Sequence, residues 1–271
     1  MSRVLVVSDS HLSVRAPAAI TNWVAATAQT RRCDLVIHVG DLTLNGAENP
    51  DDLEYARDLL DALPVPWVAV PGNHDVGDNP AILDGPVVTK DRRDLWVDRI
   101  GADHWFVEVG EWVAVGINAQ LFGSGLGAEA EQWTWLEECL ATQSRHRPVL
   151  LVVHKPVAAP EGELAVAPSH RFAPEPARSR IAALLSAVHC PLVLSGHVHQ
   201  YRALDHGDRR HLWAPTTWAV LPERMQKSVG LKRCGVVALD LGPDATAMAE
   251  LVEPPGVAQL TLAHDIPNPY D

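Results

Sequence analysis

The chain is 271 residues long, which suits one α/β domain, and 47% of its residues are hydrophobic, enough for a large core and too many for a disordered polymer. Its apolar runs are strand-sized, so no membrane-spanning helix is expected, and a formal net charge of −12 opposes the basic surface that duplex nucleic acid requires. Four cysteines, Cys33, Cys139, Cys190 and Cys234, are scattered without a CxxC pair, which reads as buried reduced thiols rather than a disulfide framework or a zinc ribbon.

In chain order, residues 3–7 are β-rich and predict a buried first strand, entered at once after Met1-Ser2 with no leader pattern, so a cytoplasmic protein is expected. Residues 18–30 have helical composition and lead to a second strand over 34–39. A helix is expected over 50–63, because Pro50 and the acids Asp51 and Asp52 suit its first turn and Pro64-Val65-Pro66 ends it. A third strand follows over 67–70. This β-α-β-α-β order implies parallel strands with helical crossovers.

Residues 77–101 are richer in loop formers. Two strands, 105–109 and 112–117, flank Gly110-Glu111 as a hairpin. A helix is expected over 128–142, with Trp133, Leu136 and Leu140 on one face. Then come a strand over 149–153, an Ala/Pro-rich loop over 158–176, a helix over 178–188 and a short strand over 192–194. The remainder is mostly β, at 211–214, 235–241 and 245–251, with an irregular tail from about residue 254. With neither linker nor repeat, the expected organisation is one domain spanning residues 1–271: an α/β fold of two mixed sheets packed together, with helices outside.

Seven polar residues able to bind metal follow these apolar runs: Asp9 and His11, Asp41 after Gly40, Asn73 in Gly72-Asn73-His74-Asp75, His154, and His197 and His199 in Gly196-His197-Val198-His199. Each has a plainer explanation alone. Asp9 and Asp41 suit turns or caps, His154 a buried structural histidine, and the Gly72 segment a surface turn. Together they sit at the carboxyl ends of strands, where α/β sheets bind ligands. Oxygen and imidazole donors without thiolate favour Mn, Fe, Zn or Co. His197 and His199 can serve two metals only if the backbone between them leaves regular strand geometry.

This ordered set resembles the calcineurin-like metallophosphoesterases, over Val4 to His199. Within them the chain is most similar to the bacterial class III cyclic-nucleotide phosphodiesterases, through Ser8-Asp9-Ser10-His11-Leu12, Gly40-Asp41-Leu42-Thr43 and Gln132-Trp133-Thr134-Trp135-Leu136-Glu137. That group often has a histidine where this chain has Lys155. The resemblance implies a β-sandwich flanked by helices and two divalent or trivalent metal ions. Asp9, His11, Asp41 and His199 would hold one ion; Asp41, Asn73, His154 and His197 the other, with Asp41 bridging. It also implies hydrolysis of a small phosphate ester, most simply a diester such as a cyclic nucleotide, by a hydroxide held on the metals. Asn73 would stabilise phosphoryl charge, and His74 would orient the phosphate and protonate the leaving group. A monoesterase, a nuclease or a non-catalytic scaffold are the alternatives. His170 or Arg171 from the 158–176 loop could reach the substrate, and Trp218 is either a base-stacking surface or an ordinary packed aromatic.

Overall fold

The computed structural model describes residues 1–28, 30–80, 85–143, 147–166 and 169–268. In chain order it contains β1 (Ser2–Val7), α1 (Pro17–Thr27), β2 (Leu35–His38), α2 (Pro50–Asp61), β3 (Trp67–Ala69), the one-turn α3 (Asn73–Val76), α4 (Lys90–Arg99), β4 (Trp105–Val109) and β5 (Trp112–Ile117). These are followed by α5 (Gly127–Gln143), β6 (Val149–Val153), α6 (Glu161–Val166), α7 (Glu175–Leu185), β7 (Leu192–Ser195), β8 (Arg202–His206), β9 (Arg209–Trp213), β10 (Val236–Leu241) and β11 (Ala247–Val252).

The strands form two mixed sheets. One has five strands in the order β11-β10-β1-β2-β3, the other six in the order β4-β5-β6-β7-β9-β8. Strands β1, β2 and β3 pair in parallel, as do β5, β6, β7 and β9, while β10, β11, β4 and β8 join antiparallel. Alternation of side chains then sorts the core into layers. Val4, Val6 and Ile37 of the first sheet meet Leu150, Val152, Leu194 and Leu212 of the second between the sheets. Leu5, Val7 and Val36 face outward onto Trp23 of α1, Leu53 and Leu60 of α2 and Trp96 of α4. On the far side Val113, Val115, Leu151 and Val193 meet Trp133, Leu136 and Leu140 of α5 and Ile181 of α7. Central strands covered on both faces explain their unbroken apolar sequences.

Two segments expected as loops contain helices. Within 77–101, α4 is polar nearly all round; it is started by Thr89, whose hydroxyl accepts from the Arg92 N–H, and it fully buries only Trp96. One anchoring tryptophan leaves almost no apolar period to read. Within 158–176, the short α6 packs Leu164 beside Phe172, Val198 and Trp213, and its Glu163 is tied to Arg202 of β8 at 2.7 Å. Helix α7 starts at Glu175, ahead of the expected 178, with proline in its first turn. Strand β8 is an outer strand whose residues are largely exposed, and lacks a strong apolar signal.

Register fixes where the site forms. Val7, His38 and Ala69 are paired neighbours at the carboxyl ends of β1, β2 and β3. The chain leaves all three strands at one level, so the segments carrying Asp9, Asp41 and Asn73 emerge side by side. His154 directly follows β6, and His197 follows β7 by two residues.

Candidate metal centre

The segments that leave the strands pair with one another before they diverge. Asp9 N–H donates to Gly40 O (3.0 Å), His11 N–H to Asp41 O (3.1 Å) and Gly196 N–H to His154 O (2.9 Å). Asp75 ties the next two together: its carboxylate accepts from the backbone N–H groups of Leu42, Thr43 and Gly72 and from the Thr43 hydroxyl. Two glycines make the close approach possible. Gly40 has φ +93°, and a Cβ there would overlap the His154 ring; a Cβ on Gly72 would overlap Asp41.

Five site residues adopt left-handed backbone conformations: Asp9 (φ 50°), His11 (47°), Asp41 (49°), His197 (67°) and His199 (55°). This region is disfavoured for residues with a Cβ and is more accessible to Asp, Asn and His. It breaks strand periodicity, so His197 and His199 join different groups of side chains while Val198 packs between them into a buried apolar cluster.

The donors fall into two groups that share Asp41. Asp9, His11, Asp41 and His199 place ligand atoms within 4.8 Å of one another, as do Asp41, His154 and His197. His11 Nε2 faces His199 Nε2 at 3.2 Å, His199 Nε2 is 3.4 Å from Asp9 Oδ1, and His154 Nε2 is 3.3 Å from Asp41 Oδ2. Asn73 opens α3 immediately after Gly72, and its buried Oδ1 has no hydrogen-bond partner.

Main-chain carbonyls set the ring tautomers. Nδ1–H of His154 donates to Val39 O (2.8 Å) and Nδ1–H of His199 to Ala219 O (2.7 Å), which leaves Nε2 of each as the lone-pair atom. His197 is held the other way, with Nε2–H donating to His170 O at 2.8 Å, so Nδ1 is its lone-pair atom. Orienting contacts of this kind typify metal-binding imidazoles.

The electrostatics follow from dense packing. Burial pushes the His11 and His197 rings well below the usual imidazole range, helped by His74 and His154 respectively. Burial works against the charged form of His154 too, but adjacent Asp41 lifts it to about 9. Burial would raise the Asp41 carboxyl, yet His154, His74 and His11 hold it well below the carboxylate range. Burial and the Asp41 charge together raise Asp75 to about 6.

His74 lies half-buried beside this cluster, its ring edge-on to His11 with centroids 4.7 Å apart. Its backbone N–H donates to Asp41 Oδ1 (2.9 Å) and its Nδ1–H to Leu44 O (3.1 Å). Trp218 is no stacking platform: it is 3% exposed and packs on His11, with centroids 4.7 Å apart. The 158–176 segment touches the cluster through the His170 carbonyl.

A calcineurin-like phosphoesterase family model matches residues 2–201, most of the chain. The chain belongs to the calcineurin-like phosphoesterase family. As a member it is a hydrolase of phosphoric esters, with residues grouped for metal binding. Two curated relatives are similar at modest identity. The 3′,5′-cyclic adenosine monophosphate phosphodiesterase CpdA of Escherichia coli is 26% identical over 227 residues, covering 79% of this chain and 76% of that protein. A probable glycerophosphodiester phosphodiesterase, GpdQ of Arcobacter nitrofigilis, is 26% identical over 226 residues, covering 83% and 71%. Among solved structures, a dimetal phosphatase from Danio rerio shares the fold with a TM-score of 0.61 at 15% identity, covering 92% of this chain and 95% of that one. Among the described residues no helix of this phosphoesterase is long and apolar enough to cross a membrane.

Several residues around the cluster have partners or tasks that the sequence does not reveal. His38, buried at the end of β2, meets the Ser10 hydroxyl at 2.8 Å, and burial drops its ring to about 3. A histidine inside an apolar strand was its only signal. Lys155 is fully buried and paired with Asp78 and, at 2.8 Å, with Asn79 Oδ1. The Asn79 amide in turn donates to the carbonyls of Ala119, Gln120 and Phe122. Lys155 thus joins the end of β6 to the segments after α3 and β5. The Ala219 and His170 carbonyls leave no trace in side-chain identity.

Proposed function

We propose that this phosphoesterase hydrolyses a small phosphodiester, a 3′,5′-cyclic nucleotide being the leading candidate, with two metal ions. Asp9, His11, Asp41 and His199 would hold the first ion, and Asp41, Asn73, His154 and His197 the second. The observation that carries this reading is the pair of donor groups sharing Asp41, with the buried Asn73 oxygen lacking any protein partner. A buried acceptor without a partner is costly unless something satisfies it. Nitrogen and oxygen donors without thiolate fit Mn, Fe, Zn or Co; burial favours the neutral form that metal binding needs at His11 and His197, while His154 and His199, raised against burial by Asp41 and Asp9 respectively, would release a proton when an ion binds.

When bound, such ions would draw charge from phosphoryl oxygens and lower the pKa of water toward about 7. The chain's own groups do the rest. Asn73 presents an amide to the phosphate. With its Nδ1–H directed to Leu44 O, His74 has Nε2 as the atom that exchanges a proton; as the imidazolium it would pass the Nε2 proton to the leaving oxygen and be left neutral. The names of both curated relatives describe phosphodiesterases, which supports a diester over a monoester.

The deciding measurement is turnover by metal-reconstituted protein on bis-p-nitrophenyl phosphate, p-nitrophenyl phosphate, 3′,5′- and 2′,3′-cyclic nucleotides and single-stranded DNA. Diesters should turn over faster than the monoester. Activity confined to p-nitrophenyl phosphate would make it a monoesterase, and silence on every ester with metal bound would make it a scaffold.

A further inference from the structure

The two donor groups are braced by different parts of the chain. On the second-ion side, His154 is held by Val39 O next to β2, and His197 by His170 O in the 158–176 segment. On the first-ion side the bracing converges on one short stretch after β9, residues 216–220. Thr216 Oγ1 donates to Asp9 O (2.7 Å), Trp218 packs on His11, and Ala219 O receives His199 Nδ1–H.

That stretch is gripped from outside by a segment nearly forty positions further along the chain. Val220 N–H donates to Leu260 O and Leu262 N–H donates back to Val220 O, both at 2.9 Å. Leu262 is buried in a small cluster with Leu44, Trp218, Ala219, Ala16 and Ala19, against which Leu260 and Ile266 also pack. Side-chain clamps fix the segment at its near end. Asn22 of α1 donates to both Trp218 O and Ala258 O and accepts from Ala258 N–H, while Gln259 bonds the N–H and carbonyl of Cys234. Leu44, in the same cluster, supplies the carbonyl that holds His74 Nδ1. This cluster meets the site at His11, His199 and His74, whereas His154 and His197 are held by Val39 O and His170 O.

We propose that residues 257–266 form a strap that positions the first-ion half of the centre, with Leu262 as its main anchor. The strap lies beyond the residues matched by the family model, so this half of the site is completed by a part of the chain that the shared motifs do not include. Shortening Leu262 loosens the packing behind Trp218 and Ala219. The His11 ring loses its backing and the His199 ring its fixed carbonyl, while the second-ion ligands keep theirs. Because orienting contacts of this type are worth about 10–100-fold in metal affinity, the effect should appear as a split between the two ions. This inference rests on the two-ion reading above.

The test is calorimetric titration of metal-free protein with Mn²⁺, with His199→Ala and His154→Ala used to assign the two binding events. In Leu262→Ala the event lost in His199→Ala should weaken by about tenfold, and the one lost in His154→Ala should stay within about twofold. Leu262→Met should restore affinity by refilling the volume. Ile181→Ala, a core truncation under the second sheet, should move neither event. Equal weakening of both ions, no weakening, or the same split in Ile181→Ala overturns the strap. If Leu262→Ala does not fold, Gln259→Ala, which releases the clamp on Cys234, is read in the same way. Wild-type protein that takes up fewer than two ions overturns the two-ion reading itself, a result distinct from two ions with no split.

Discussion

His74 and Gly40 separate chemistry from architecture most sharply. His74 belongs to neither donor group, yet its ring lies against His11 and its Nδ1 is fixed by Leu44. His74→Ala should keep its bound metal and lose about 10²–10⁴-fold in kcat, the usual worth of a positioned acid; metal analysis beside steady-state kinetics checks both halves. Unchanged turnover would remove His74 from the reaction. Gly40→Ala should do the opposite, acting through structure. Its φ of +93° and the His154 ring leave no room for a Cβ, so a loss of about 1–3 kcal/mol by denaturant titration and weakened metal binding are expected. The sequence singled out the six residues that the fold gathers into two groups sharing Asp41, together with Asn73 and His74 beside them, because candidate donors are read from side-chain identity. Asp75 was visible but not its task, since three of its four hydrogen bonds reach the Leu42-Thr43 segment and depend on tertiary arrangement. The carbonyls of Val39, His170 and Ala219 were invisible, since every residue has one.

Among the elements, those with a strong period or an unbroken apolar run were readable. The expected strand over 149–153 is β6, and the expected helix face of Trp133, Leu136 and Leu140 is the buried face of α5. Helix α4 was not readable, because polar contacts do much of its holding. Arg93 forms a forked pair with Asp103 at 2.7 and 3.0 Å, and Asp103 also meets His104 and Asn118. Burial would raise the Asp103 carboxyl, but His104, Arg93 and Asn118 together hold it well below the carboxylate range. A depressed folded-state value contributes stability above the unfolded value of about 3.9 and loses it as pH falls further. Asp103→Asn should therefore cost about 1–3 kcal/mol at pH 7, because it removes the charge facing the part-buried Arg93 guanidinium, which keeps only Asp94 at 3.7 Å, and should shrink that cost in strong acid. Urea midpoints at pH 7 and pH 3 check it; equal cost at both would assign the effect to packing.

Across the whole molecule, among the described residues, four histidines are held by burial well below the usual imidazole range, and two of them, His211 and His38, lie outside the candidate donor groups. Burial drops His211 in β9 to about 4 and His38 to about 3. Below about 6.5 the unfolded chain takes up protons at these positions and the folded protein does not. Stability should thus fall as pH drops from about 6.5, each histidine contributing a slope of up to about 1.4 kcal/mol per pH unit, the His211 share ending near its folded value. Chelator-treated protein, unfolded in urea at several pH values, gives that slope. His211→Gln should flatten it; an unaltered slope would assign the acid sensitivity elsewhere. No pattern in the sequence marked His211, because a histidine beside Arg209 and Arg210 is buried only after β7 and β8 pair on either side of its strand.

The left-handed backbone at Asp9, His11, Asp41, His197 and His199 limits how this centre can be copied. Each such residue carries a conformational cost on the order of 1 kcal/mol that regular strand ends never meet. Side chains grafted at the same spacing onto strands that continue straight would point His197 and His199 the same way and would merge the two donor groups into one. A transplant must therefore carry the turns, the two glycines and the Asp75 clamp along with the donors, and a designer who copied the motif letters alone would obtain a polar surface without a two-part centre.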